Sequence, residues 1–123
     1  MKKILVLVFL VFMCVLGRTQ TIDSCGADIE AKRTLIKTNV SENHMEFLYF
    51  DTQNRLHGKS YVKDRYGNLI SIACYNHGVK HGNWKIWYDN GQLAYWLIYF
   101  NGEKCGTWKY WDKNGVLLKE IRY

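Results

Sequence analysis

Over residues 50–123, apolar and polar positions return with a fixed period of 24 residues. Trp84 recurs as Trp108 and Trp87 as Trp111; Leu69, Leu93 and Leu117 align, as do Tyr75, Tyr99 and Tyr123. Two glycine ladders, Gly58, Gly82, Gly106 and Gly67, Gly91, Gly115, keep the same spacing. Gly78 and Gly102 form a third, with Asn54 in its first place. Within a unit the alternation has period two. Trp84, Ile86 and Tyr88 share one side of an extended chain and Lys85 and Trp87 the other; Leu93, Tyr95, Leu97 and Tyr99 oppose Ala94, Trp96 and Ile98. A short unit at constant spacing predicts stacked supersecondary elements. The expected fold is all-β, a single twisted antiparallel meander with one hairpin per unit.

Turn chemistry divides the strands. Asp89-Asn90-Gly91-Gln92 and Asp112-Lys113-Asn114-Gly115 are hairpin turns, with Tyr66-Gly67-Asn68 in the same role, because glycine takes positive φ without a Cβ clash. The other connection, over 76–82 and 101–106, reads as a longer reverse turn. Strands are expected over 84–88, 93–99, 107–111 and 117–122. A two-residue Asn-Gly loop and a three-residue loop with a glycine bulge pair the strands one position apart, and both remain open. Upstream, 34–40 is expected to be extended, Ser41-Glu42-Asn43-His44 a turn, and 45–50 a strand. Asn43 precedes Gly67 by one period and Met45 precedes Leu69 by one, so residues 20–49 read as a lead-in with a degenerate capping hairpin. Both faces of the sheet carry large apolar groups. Either the sheet curls, or its second face is covered by the N-terminal segment or a partner.

Residues 1–19 break this pattern. Lys2 and Lys3 precede an apolar run over 4–16, and Gly17 and Thr19 are small enough to flank a cut, which is the layout of a signal peptide. The run is shorter than the roughly 20 residues a membrane helix needs. An uncleaved anchor is the alternative; a lipid-modified Cys14 is disfavoured, because Phe12-Met13 lacks the small residues such a site uses. The protein is therefore expected to be secreted or periplasmic, with association at the cell envelope also open, and to have no transmembrane segment once the signal is removed.

The formal charge of +6 shrinks with that leader. Lys2, Lys3 and Arg18 leave with no acid, so 17 bases fall to 14 against 11 acids, about +3. That is too small for a nucleic-acid footprint. Cys25, Cys74 and Cys105 then remain, an odd number. Cys74 and Cys105 lie too far apart in the repeat to pair, Cys25 is the better partner for either, and a buried thiol is the expectation for Cys74.

Catalytic chemistry finds no footing. His57, His81 and Cys105 occupy equivalent positions, two strands or roughly 9.5 Å apart, whereas zinc ligands sit about 2.0–2.3 Å from one ion. His77 and His81 share a connection and read as loop histidines. No acids are paired at catalytic spacing, Ser60 and Ser71 stand outside any nucleophile elbow, and no phosphate-binding glycine motif occurs. No enzyme activity, cofactor or metal is expected. Lys80, Lys85, Lys104 and Lys109 recur beside aromatic residues.

The repeat itself has a recognisable form: Asn-Gly, then glycine four residues on, Trp two later, an aromatic, and a closing Asn-Gly-x-Leu. It runs from Asn101-Gly102 through Gly106 and Trp108 to Asn114-Gly115-Val116-Leu117, and from His77-Gly78 through Gly82 and Trp84 to Asn90-Gly91-Gln92-Leu93. This resembles the bacterial variant of the MORN repeat, found in antitoxin-like MORN-variant repeat proteins. The resemblance covers residues 50–123 as three units, 50–74, 75–98 and 99–123, and implies β-hairpins stacked into an elongated sheet. The first unit departs from it, with Asn54 for glycine and Ser60 for tryptophan.

The expected function is an exported, non-catalytic repeat module for protein or surface binding. The alternatives are a purely structural cell-envelope repeat, or, as the resemblance implies, an antitoxin-like inhibitor of a partner protein. Trp87, Trp96, Trp111, Lys85 and Lys109 are the candidate contact residues; Trp84, Trp108 and the first two glycine ladders are the structural ones. The expected partner is a protein or a cell-envelope component, not nucleic acid.

Overall fold

The structure, a computed structural model, describes the backbone of residues 34–40 and the whole of residues 43–123. Residues 1–19, expected to be a signal peptide, Cys25 and most of the lead-in fall outside the described residues. The rest forms one antiparallel sheet. The long strands are β1 (Thr34–Val40), β2 (His44–Phe50), β3 (Gly58–Asp64), β4 (Leu69–Asn76), β6 (Gly82–Trp87), β7 (Leu93–Phe100), β9 (Thr107–Trp111) and β10 (Leu117–Arg122). They lie side by side in sequence order, while the short β5 (Val79–Lys80) pairs with β4 and β8 (Glu103–Lys104) with β7. Among the described residues no helix is long and apolar enough to cross a membrane.

The open register resolves to the three-residue loop. Gly91 N donates to Tyr88 O at 3.0 Å and Tyr88 N to Gln92 O at 2.9 Å, with Gly91 at φ +82°. The register then shifts between Ile86 and Trp87, setting Leu93 opposite Trp87 and out of step with Tyr95. The same shift occurs after Val62 and between Leu117 and Lys119. Two of these turns are shaped by a carboxylate. Asp64 Oδ1 accepts from Tyr66 N and Asn68 N, both at 2.8 Å, and Asp112 Oδ1 from Asn114 N and Val116 N, both at 2.9 Å.

The other connection is tighter than the long reverse turn the sequence suggests. Tyr75 pairs with Lys80 and Asn76 with Val79, closing a two-residue turn at His77-Gly78 with φ of 49° and 88°. Asn101-Gly102 repeats it at 47° and 89°. Only then does the chain pass into the next long strand. The entry is fixed by one carbonyl with two donors: Cys74 O accepts from His81 N at 3.0 Å and from Trp84 Nε1 at 2.9 Å. Ile98 O does the same for Cys105 N at 3.1 Å and Trp108 Nε1 at 2.8 Å. In the first unit Asn54, at φ 59°, stands in a longer loop closed by Asp51 N donating to Arg55 O at 2.8 Å.

Neighbouring units are also bonded turn to turn. Gly78 N donates to Leu56 O at 2.7 Å, and Gly102 N to Lys80 O at 2.8 Å. His57 Nδ1 accepts from His77 N at 3.2 Å, and His81 Nδ1 from Asn101 N at 3.3 Å. Thus each turn is completed by a histidine of the preceding unit.

One face holds a ladder of rings. Centroids run from Tyr75 to Trp84 at 5.1 Å, on to Tyr99 at 5.4 Å, Trp108 at 5.1 Å and Tyr123 at 4.8 Å, each pair tilted or edge-on as aromatic quadrupoles prefer. Tyr75 lies opposite Gly58 and Tyr99 opposite Gly82, where the absent side chain leaves room for the ring. Lys80 Nζ stands 4.6 Å from the Trp84 ring, and Lys104 Nζ 4.8 Å from that of Trp108. Cys74 corrects an expectation: it is disulfide-bonded, to a partner outside the described residues. The repeat spacing excluded Cys105 as its partner and left pairing with a cysteine outside the repeat open. Cys105 is a buried thiol.

Candidate functional site

The pairing registers align directly opposed residues into transverse rows. On the face away from the ring ladder, Phe47, Tyr61, Ile72, Lys85, Trp96, Lys109 and Glu120 follow one another across the sheet. Period-two alternation within strands and antiparallel register between them leave this row no other option. Trp96 is its centre. Lys85 faces it from β6 and Lys109 from β9, with Lys85 Nζ 5.0 Å from the ring centroid. The indole is held in place by its Nε1, which donates to Asn83 Oδ1 at 2.7 Å. Lys109 Nζ also reaches Glu120 at 3.4 Å. Trp96, Lys85 and Lys109 are all half-buried.

The other two candidate tryptophans sit elsewhere. Past the register shift, Trp87 lines a cleft of about 660 Å³ between hairpin tips, with Asp64, Leu69, Ile70 and Asp89. Trp111 is half-buried, and its carbonyl accepts from Tyr88 Oη at 2.9 Å. The five contact candidates therefore divide into a Lys85–Trp96–Lys109 cluster and two outlying rings. Trp84 and Trp108 stand in the ladder on the opposite face.

Sequence reasoning missed a polar cluster at the first turn. Asp51 Oδ2 accepts from His77 Nδ1 at 2.6 Å and from Arg55 Nε at 2.9 Å, while Oδ1 takes the backbone N–H groups of Gln53 and Arg55. His57 stacks on His77 with centroids 4.3 Å apart. The structure thus brings His77 to His57, not to His81. No local motif announces this, because Asp51 and His77 belong to different units. Among the described residues no group of three or more His, Cys, Asp or Glu side chains is placed to hold a metal ion.

The His77 hydrogen bond, followed by those from Arg55 and Gln53, holds the Asp51 carboxyl well below the usual carboxylate range. A depressed folded-state pKa stabilises above the unfolded value and loses that contribution as the pH falls towards the folded one. Comparison of Asp51→Asn with wild type by thermal unfolding should show a stability gap that is constant down to about pH 5. The gap should close progressively below the unfolded carboxyl pKa of about 3.9. A gap that stays constant down to about pH 2 would show that the Asp51 charge contributes nothing to stability.

Residues 80–101 and 104–123 match the family model described as the MORN repeat variant. No curated protein and no solved structure matches the chain. The matched segments are the two units in which the tryptophan ladder is complete.

Proposed function

We propose that this protein is an exported, non-catalytic binding module that engages a protein or an envelope surface through the face centred on Trp96. The observation that carries the reading is the placement of two lysines, Lys85 and Lys109, directly opposite one fixed indole on both neighbouring strands. A rigid ring supplies apolar contact at small entropic cost, and flanking cations select partners presenting carboxylates or phosphates beside an apolar group. The match of the C-terminal units to a repeat family supports a module that works by presenting surface. Export is supported by the leader-like residues 1–19 and by a disulfide at Cys74, a bond that persists in oxidising compartments.

The test is capture from cell-envelope fractions by wild type, Trp96→Ala and the double variant Lys85→Glu, Lys109→Glu. Both variants are expected to lose at least about tenfold in apparent affinity, the range of an interface anchor. Equal capture by all three would remove this face from the function.

A structural envelope repeat is the second reading, and β10 favours it. This strand ends the sheet, and Val116, Leu117 and Leu118 are 57%, 48% and 64% exposed. An open apolar edge templates further pairing. Light scattering across concentration separates the two, since only the structural reading requires growth of the particle.

A further inference from the structure

The first unit lacks the tryptophan of the other two, and the gap has a definite shape. Ser60 stands where Trp84 and Trp108 stand one and two periods on. Around it is a cavity of about 260 Å³ on the ladder face, lined by Glu46, Leu48, Ser60, Ser71, Tyr75 and Trp84. Ser60 is 3% exposed, and among the described residues its Oγ is a buried polar atom without a hydrogen-bond partner. Such an orphan hydroxyl carries a desolvation cost that a polar ligand atom would relieve.

We propose that this cavity receives an indole: a planar aromatic ring with an N–H donor, presented as a tryptophan side chain by a partner polypeptide. The site lies on the opposite face from Trp96 and does not depend on that surface. Three features select this ligand. The neighbouring ladder shows what the position accommodates, since Tyr75 is left with Trp84 on one side and the cavity on the other. The donor would meet the Ser60 hydroxyl in the cavity, and the repeat places a carbonyl at the matching position. In the later units the indole N–H shares a carbonyl with the N–H of the residue three before it, and in the first unit Tyr49 O takes that backbone bond, from His57 N at 2.9 Å. The charge differs too. Leu56 replaces the lysine found at Lys80 and Lys104, and Glu46 lines the wall, so the cavity disfavours anions. No tryptophan of residues 1–123 is free to supply the ring. All five tryptophans of the chain lie among the described residues, at positions 84, 87, 96, 108 and 111, each already placed.

The experiment is a titration of the full chain followed by backbone amide NMR. The probes are N-acetyl-tryptophanamide and free indole, with N-acetyl-phenylalaninamide as the ring without a donor. Saturable shifts are expected at Ser60, Ala73 and Tyr75, with the phenylalanine probe weaker by at least about tenfold because it leaves the acceptors unpaired. Ser60→Trp fills the cavity from within and should abolish probe binding while raising Tm. Ala73→Leu, directly opposite Ser60, blocks the same space and serves if Ser60→Trp does not fold. The proposal is overturned by absence of saturable shifts up to probe solubility, by equal binding of the phenylalanine probe, or by binding that survives the blocking variants. Contacts from the Tyr75 ring to residues 1–33 in the unliganded protein would equally overturn it, because the chain would then fill its own cavity.

Discussion

Trp108→Ala is expected to lower stability by about 3–5 kcal/mol, the range for truncating a large buried aromatic. Trp108 is 5% exposed and stands between the Tyr99 and Tyr123 rings at 5.1 and 4.8 Å. Its removal cuts the ladder, unseats Lys104 from the ring face and takes a donor from Ile98 O. Since Ile98 O keeps Cys105 N, the lost hydrogen bond is the smaller share. Trp108→Phe, which keeps a ring and drops only the donor and part of the area, should cost about 1–2 kcal/mol. Urea unfolding of the two variants measures both numbers. A loss below about 1 kcal/mol for the alanine variant would mean that the ring is solvated and the ladder carries no weight.

Gly102→Val should be the next most damaging change, at about 2–3 kcal/mol, combining left-handed strain of about 1–2 kcal/mol with a smaller cost, about 1 kcal/mol, of displacing the exposed Val79 side chain. Gly102 has φ +89°, and a Cβ there would meet Val79 Cγ1 of the preceding unit at 3.0 Å. Gly91 separates the two causes. It has φ +82°, but a Cβ would meet nothing within 4 Å. Gly91→Val should therefore show the backbone part alone, about 1–2 kcal/mol. Equal losses at the two positions would mean that the contact between units is slack. The inference is read from thermal or urea midpoints at one pH.

These contrasts show what could be read from the residues. The repeat was legible because Trp84 and Trp108 make the same bond to the same kind of carbonyl, so the spacing survives in the letters. The register was not, because Asn-Gly serves either loop, and the choice appears only in which amide meets Tyr88 O. The turn at His77 looked longer than it is, since a histidine at positive φ leaves little mark in sequence. The Asn101-Gly102 pair was a two-residue turn signal, absorbed into a wider span by the glycine four residues on. Among contact candidates, Lys85, Trp96 and Lys109 fall together by simple alternation. Trp87 escapes because the bulge beside it interrupts that alternation. Asn83, which fixes Trp96, had no signal at all: a polar residue before a tryptophan looks like any solvated strand position.

The bonds that run from one turn to the next recur at a constant interval, from Leu56 to Gly78 and from Lys80 to Gly102. A whole unit spliced in at that interval would find a donor and an acceptor already waiting on either side, with no amide orphaned. Reach across the sheet is therefore adjustable in steps of two strands, roughly 9.5 Å each. Gene duplication or an engineer can lengthen the molecule to suit a larger counterpart without redesigning a single joint.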